Sequence, residues 1–179
     1  MGVLISNTEQ ISDEWTLLNT ASGPDVFPAL NQRKVLLPLS LLAEDEEEAR
    51  RYVNELGVWL DSSETLDAIA HRLHDFPIIA LNFPSFADGR HYSTARELRQ
   101  NHGFQGEIRA IGDVLRDQLC FLQRCGFNTF SLRSDQDVGE CLQAFNDFSH
   151  SYTSTVTQAE PRHSPAQLRA GVSPQAALP

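Results

Sequence analysis

Asp88, Arg90, His91, Tyr92, Ser93 and Arg96 fall within nine consecutive residues, the densest collection of reactive side chains in the sequence. An arginine fork makes paired hydrogen bonds to a carboxylate or oxyanion, and a histidine can carry a proton near neutral pH. The free amides at a helix start favour negative charge. Gly89 permits the turn that these residues need, and Ser93 stands where a helix N-cap is expected. Arg90, Ser93, Arg96 and, further along, Arg116 are therefore the candidate anion-binding residues. Asp88, Tyr92, Arg109, Asp113 and Asp117 form the candidate polar site around them, with an aspartate as acid, base or Mg²⁺ ligand if the site is an enzyme's. The catalytic residues themselves are not fixed by the sequence, and no resident metal or cofactor is expected from it.

The flanking elements must position this loop. Ile78 to Leu81 is an apolar run that ends at Asn82 and Phe83-Pro84, as a buried strand does. Ala95 and Leu98 give a short helix its apolar stripe, with Arg96, Glu97 and Arg99 on wetter faces and Gly103 as C-terminal cap. From Glu107 to Asp113 polar and apolar residues alternate, a strand with one polar-lined face. Arg109 in that strand requires Glu107, Asp113 or a bound anion, because an unpaired buried charge is costly.

The same strand and helix order recurs along the chain. Asp45 begins a helix carrying Ala49, Tyr52, Val53 and Leu56 and ending at Gly57; Val58 to Leu60 is a strand; Leu66, Ile69, Ala70 and Leu73 mark the next helix. After the central unit come a helix with Leu115, Leu119 and Leu122, a strand from Phe127 to Leu132, and a last helix with Val138, Cys141, Leu142 and Phe145. About four β-α units predict an α/β fold with a mostly parallel sheet, either open or shaped as part of a barrel. Residues 1–34 are expected to form an N-terminal hairpin, from Val3–Ile5 and Trp15–Leu18, and a loop packed on the domain. Residues 35–153 form the α/β domain, and 154–179, rich in Ser, Thr, Gln, Ala and Pro, a disordered tail. In such folds ligands sit at the carboxyl ends of the strands, here Asp61, Asn82, Asp113 and Asp135 with Arg90, Arg116 and Arg133. Asp61, Ser62, Ser93, Asp113 and Asp135 also suit helix caps, so each has a purely structural alternative.

A net charge of −10 over 179 residues argues against nucleic acid or an anionic membrane as the partner. The absence of a long apolar run or a secretion-like N-terminus predicts a cytoplasmic protein. Cys120, Cys125 and Cys141 fall on apolar helix faces, as reduced core thiols do. The acidic run Glu44–Glu48 is read as a solvated first helical turn. Thirteen of the fourteen basic residues are Arg, and Lys34 is the single Lys. Glycine fingerprints for phosphate, a G-x-S-x-G elbow, paired C-x-x-C and H-E-x-x-H do not occur.

Three segments together resemble one bacterial family: Asp88 to Arg99 (D-G-R-x-Y-S-x-A-R-x-L-R), Gly106 to Leu119 (G-E-I-R-A-I-G-D-V-L-R-D-Q-L) and Arg124 to Phe127 (R-C-G-F). This is the domain-of-unknown-function family nine-three-four, often labelled an oxidoreductase of sulfite reduction; the likeness runs from the Asp13-Glu14-Trp15 region to about Tyr152. The resemblance implies a place in assimilatory sulfate reduction beside the sulfite reductase haemoprotein. It carries over no catalytic residue, and Asn82 departs from the aspartate expected after its strand. The leading expectation is an auxiliary protein of sulfite reduction acting with that haemoprotein. An enzyme acting on a small oxyanion at the strand ends, and a structural or dimerisation subunit, are the alternatives. The sequence does not fix the oligomeric state.

Overall fold

The computed structural model describes residues 2–19, 25, 27–30 and 33–147. The predicted tail at 154–179 and most of the loop expected between residues 21 and 31 lie outside them. The strands are β1 (Leu4–Ser6), β2 (Trp15–Leu17), β3 (Lys34–Pro38), β4 (Glu55–Leu60), β5 (Ile78–Phe83), β6 (Glu107–Gly112) and β7 (Thr129–Ser131). The helices are α1 (Phe27–Leu30), α2 (Leu39–Tyr52), α3 (Arg90–Gln100), α4 (Arg116–Cys125) and α5 (Val138–Ala144).

Among the described residues, one seven-stranded sheet has the order β1-β7-β6-β5-β4-β3-β2. From β2 to β7 each strand lies parallel to the next in sequence, so the chain steps across the sheet in one direction and its right-handed crossovers fall on one side. Strand alternation shows this directly. Val35, Leu37, Val58, Leu60, Ile79, Leu81, Phe83, Ile108 and Ala110 pack with the buried faces of the helices, while Leu36, Trp59, Ile78, Ala80 and Ile111 form a separate small cluster on the opposite face.

That opposite face is buried without a described helix over it. The expected N-terminal hairpin is absent, because β1 pairs antiparallel with β7 at one edge while β2 pairs with β3 at the other. The connection between them crosses the open side of the sheet. After a turn at Ser6–Glu9, Gln10 bridges back to Ile5, so the crossing proper begins there. Six interstrand steps separate the edges, about 29 Å along the sheet, whereas the chain from Gln10 to Trp15 spans at most about 17 Å. The edges must approach one another, and the sheet curls into half a barrel. Trp59 Nε1 donates to the Leu18 carbonyl at 2.7 Å on the same side.

Arg109 fixes this crossing from within. It is 3% exposed, and the strand register sets it opposite Ala80 of β5 and Thr129 of β7. Its Nε donates to Glu107 at 2.9 Å and its Nη1 to Asp13 at 2.8 Å, while Thr129 donates to the same Glu107 oxygen at 2.6 Å. The sequence expected Glu107, Asp113 or a bound anion as partner. The structure supplies Glu107 and Asp13, because Asp113 lies beyond the end of β6 and points to the strand-end loops.

Several element boundaries differ from the sequence expectation. Helix α2 starts at Leu39, so Glu44–Glu48 lies beyond its first turn; Glu46 there accepts from both Arg50 and Arg72. Leu56 and Gly57 belong to β4, where a Cβ on Gly57 would meet Ile78 and Leu36 side-chain carbons at 2.4 and 2.8 Å. The segment from Leu66 to Asp75 forms two 3₁₀ pieces rather than an α-helix, with a break at Ile69 and a non-helical backbone at Arg72 (φ −141°) between the buried Leu66, Ile69 and Leu73. Arg99 is half-buried rather than wet. It donates to the carbonyls of Phe104, Gly106 and Gly126, joining the end of α3 to the end of α4.

Candidate functional site

The carboxyl ends of β4, β5, β6 and β7 open into loops at residues 61–65, 84–89, 113–115 and 132–137. Two groups of polar side chains gather there. Between β4 and β5, Asn82 donates to Asp61 at 2.9 Å, and the Asp61 amide donates to Glu64 at 2.7 Å. Beside them Arg90 grips Asp88 with Nε at 3.0 Å and Nη2 at 2.6 Å, and the same Nη2 reaches Ser62 Oγ at 3.0 Å. Between β5 and β7, Asp113 accepts from the Phe86 amide and from Arg133, both at 2.8 Å, and Arg133 also holds Asp135. β6 can end so close to β5 because Gly112 takes φ +93°; a Cβ there would lie 2.4 Å from the Phe83 carbonyl oxygen.

The helix behind the loop starts four residues earlier than the sequence suggests. Gly89 is the N-cap of α3, so Ser93 lies inside the helix and does not cap it. The position that an anion would take at this helix start is held by the chain itself. The Asp88 carboxylate accepts from the Arg90 backbone amide at 3.2 Å and from the Arg90 guanidinium. Arg90's hydrogen bond holds the Asp88 carboxyl well below the usual carboxylate range. Asp135 is held at about 2, first by Arg133 and then by Gln136. Neither carboxyl is a proton donor near neutral pH.

The four candidate anion-binding residues are not brought to one point. Arg90 faces Asp88 and Ser62, Ser93 is an exposed helical residue, and Arg96 is exposed on α3. Arg116 starts α4 and pairs with Asp147 at 2.7 Å, which ties α4 to the chain after α5. Of the candidate polar residues, Asp88, Tyr92 and Asp113 border the 84–89 loop. Asp117 is exposed, and Arg109 belongs to the sheet's helix-free face. A cleft of about 230 Å³ lies between α4 and α5, lined by Arg116, Asp117, Cys120, Ala144 and Asp147, away from the Asp88–Arg90 pair.

His91 departs most from its sequence reading. Expected as a loop residue, it is the second residue of α3 and 1% exposed. Its Nδ1 lies 3.3 Å from Thr94 Oγ1, Phe83 meets its ring edge-on, and Nε2 sits beside the Leu60 and Asp61 backbone without a well-formed hydrogen bond. Burial lowers its pKa, partly offset by the Leu60 and Asp61 backbone and by the Asp88 and Asp61 charges. Sequence reasoning missed Phe86, Gln118 and Phe121. Gln118 is buried, with its amide nitrogen 3.5 Å from the Phe86 carbonyl and 3.3 Å from the Tyr92 hydroxyl. Phe86 and Phe121 remain 52% and 47% exposed, and Phe121 packs edge-on against Tyr92 with ring centroids 4.8 Å apart. The signal for Phe121 was its place off the Leu115, Leu119, Leu122 stripe.

Fold and strand-end loops together define a singly wound α/β half-barrel whose polar edge is closed by its own ion pairs. The chain belongs to the family described as Bacterial protein of unknown function (DUF934), whose model matches residues 57–163. The match begins in β4, so Asp13 and the N-terminal strands precede it. No curated protein matches the chain.

Two outcomes are expected from this geometry. A histidine kept neutral by burial contributes stability that is fully present above about pH 6.5 and is lost as pH falls below it, because the unfolded chain then binds the proton more readily. Melting temperature should thus fall between pH 7.5 and 5.5 in the wild type and change less in His91→Asn, the strongly held carboxylates Asp88 and Asp135 remaining ionised throughout. Asp88→Asn should release the Arg90 fork and the α3 amides. Millimolar sulfite, sulfate or phosphate should then raise the melting temperature of that variant more than that of the wild type, and an equal rise in both would show that Asp88 does not hold the site.

Proposed function

We propose that the protein is a cytoplasmic auxiliary protein of assimilatory sulfite reduction that works by binding the sulfite reductase haemoprotein, without a cofactor of its own. The family resemblance supports the pathway. The observation that carries the auxiliary role is the closure of Arg90 onto Asp88, at 2.6 and 3.0 Å. A general acid at this edge would need a carboxyl poised near neutral pH, and an anion clamp would need a free arginine fork; the Arg90 side chain is 62% exposed, but its fork is taken by Asp88, so each group neutralises the other. Asp113, Arg133 and Asp135 are similarly occupied, and they fix the loop that bears Phe86.

The second reading, an enzyme acting on a small oxyanion, is favoured by one feature, the coincidence of Arg90 with the amides at the start of α3. It requires Asp88 to leave that position. Complementation separates the two. A strain lacking the protein should fail to grow on sulfate and should recover with sulfide. A folded Arg90→Gln variant should restore growth on sulfate if the role is auxiliary; failure of that variant, at normal abundance and stability, would favour the enzyme.

A further inference from the structure

At the strand-end edge Arg90 closes on Asp88, and Arg133 on Asp113 and Asp135, but Asp61 has no arginine of its own. The register carries Asp61, one residue past the Leu60–Leu81 pairing, alongside Asn82, and sets Asn82 opposite Ile111. Alternation along β5 turns Asn82 to the helix-free face, in line with Ile78 and Ala80 and next to the Trp59 and Ile111 cluster. The pair is firmly built. Asn82 belongs to β5, its side-chain nitrogen donates to Asp61 Oδ1 at 2.9 Å, and the Asp61 backbone amide is tied to Glu64 at 2.7 Å. Its remaining valences are open: Asp61 Oδ2, Asn82 Oδ1 and the second Asn82 amide hydrogen have no partner among the described residues, and both side chains are partly exposed. Gly112 keeps the approach clear, since a Cβ there would lie 2.5 Å from Asn82 Oδ1.

Charge and floor select the ligand. Arg90, the guanidinium nearest in the fold, is spent on Asp88 and Ser62, while Glu64 adds a second carboxylate to the loop that bears Asp61. An anion is therefore repelled here. Asp61 Oδ2 is a charged acceptor and Asn82 Oδ1 a neutral one, which suits an ammonium, a compact cation with three donors and no acceptor. Trp59 and Ile111 beside the pair are 9% and 7% exposed, so a short carbon stem is all that they can take up. We propose that Asp61 and Asn82 bind a small primary amine at the mouth of the half-barrel, Asp61 taking the ammonium and Asn82 orienting the carboxylate. The carboxyl ends of parallel strands are where α/β folds place small ligands. The site stands apart from the auxiliary role proposed above and does not depend on it.

Titration of the full-length ¹⁵N-labelled protein with n-butylammonium chloride, read by NMR at the Asn82 side-chain amide, tests it. Sodium chloride at matched ionic strength and sodium butyrate are the controls, with Asp61→Asn and the exposed Asp117→Asn as variants. The Asn82 signals should shift saturably with butylammonium and with neither control. Binding should weaken at least tenfold in Asp61→Asn, with its melting temperature within a few degrees of wild type, and stay unchanged in Asp117→Asn. The wild type alone supplies a second test that does not depend on any variant folding. Butyltrimethylammonium keeps the charge and lacks N–H donors, so it should bind several-fold more weakly than butylammonium. Equal binding of the two cations, unchanged affinity in folded Asp61→Asn, or shifts no larger than those of sodium chloride would overturn the amine site. Saturable shifts with butyrate would replace it with an anion site.

Discussion

A single guanidinium inside the half-barrel holds together parts of the chain that the strand order would otherwise leave apart. A sheet built by repeated steps in one direction receives its helices on one face alone, and the other face must be closed by curvature or by chain. Here both operate. The crossing between β1 and β2 is too short for a flat sheet, and Arg109 fastens that crossing at Asp13. Glu107 and Thr129 complete the arrangement, so the charge is balanced and hydrogen-bonded where it is buried.

Curvature set in this way has consequences at the carboxyl ends of the strands. Neighbouring loops there meet closely enough for Asp113 to hold both the Phe86 amide and Arg133, and for Arg90 to reach from the start of α3 to Ser62 beyond β4. Many of the polar groups consequently pair with one another, while Phe86 stays 52% exposed. In this architecture the edge that usually receives a small ligand is a braced one.

The sequence made the repeated β-α order legible, because strand and helix periods alternate cleanly from β4 onward, and it showed that Arg109 needed acidic company. It did not show Asp13, which lies 96 residues away and becomes a neighbour only through the crossing. Ser93 was a credible cap by residue type, but Asp88 engages the amide of Arg90 and moves the helix start to Gly89–Arg90. His91 followed the same displacement from loop to buried helix. Leu66, Ile69 and Leu73 are spaced as on an α-helix, and the breaks at Ile69 and Arg72 that divide the segment into two 3₁₀ pieces leave no mark in that spacing. Phe86 and Phe121 are conspicuous only once their neighbours have been buried.

The central physical claim is that the Arg109–Asp13 contact closes the half-barrel and braces the strand-end edge. A double-mutant cycle with Arg109→Met and Asp13→Asn, followed by urea unfolding, measures it most directly. The account predicts a loss of about 3 kcal/mol for the buried arginine and about 1 kcal/mol for the half-exposed aspartate, with a coupling energy of about 1 kcal/mol between them. Additive losses, or an Arg109→Met variant as stable as the wild type, would contradict it.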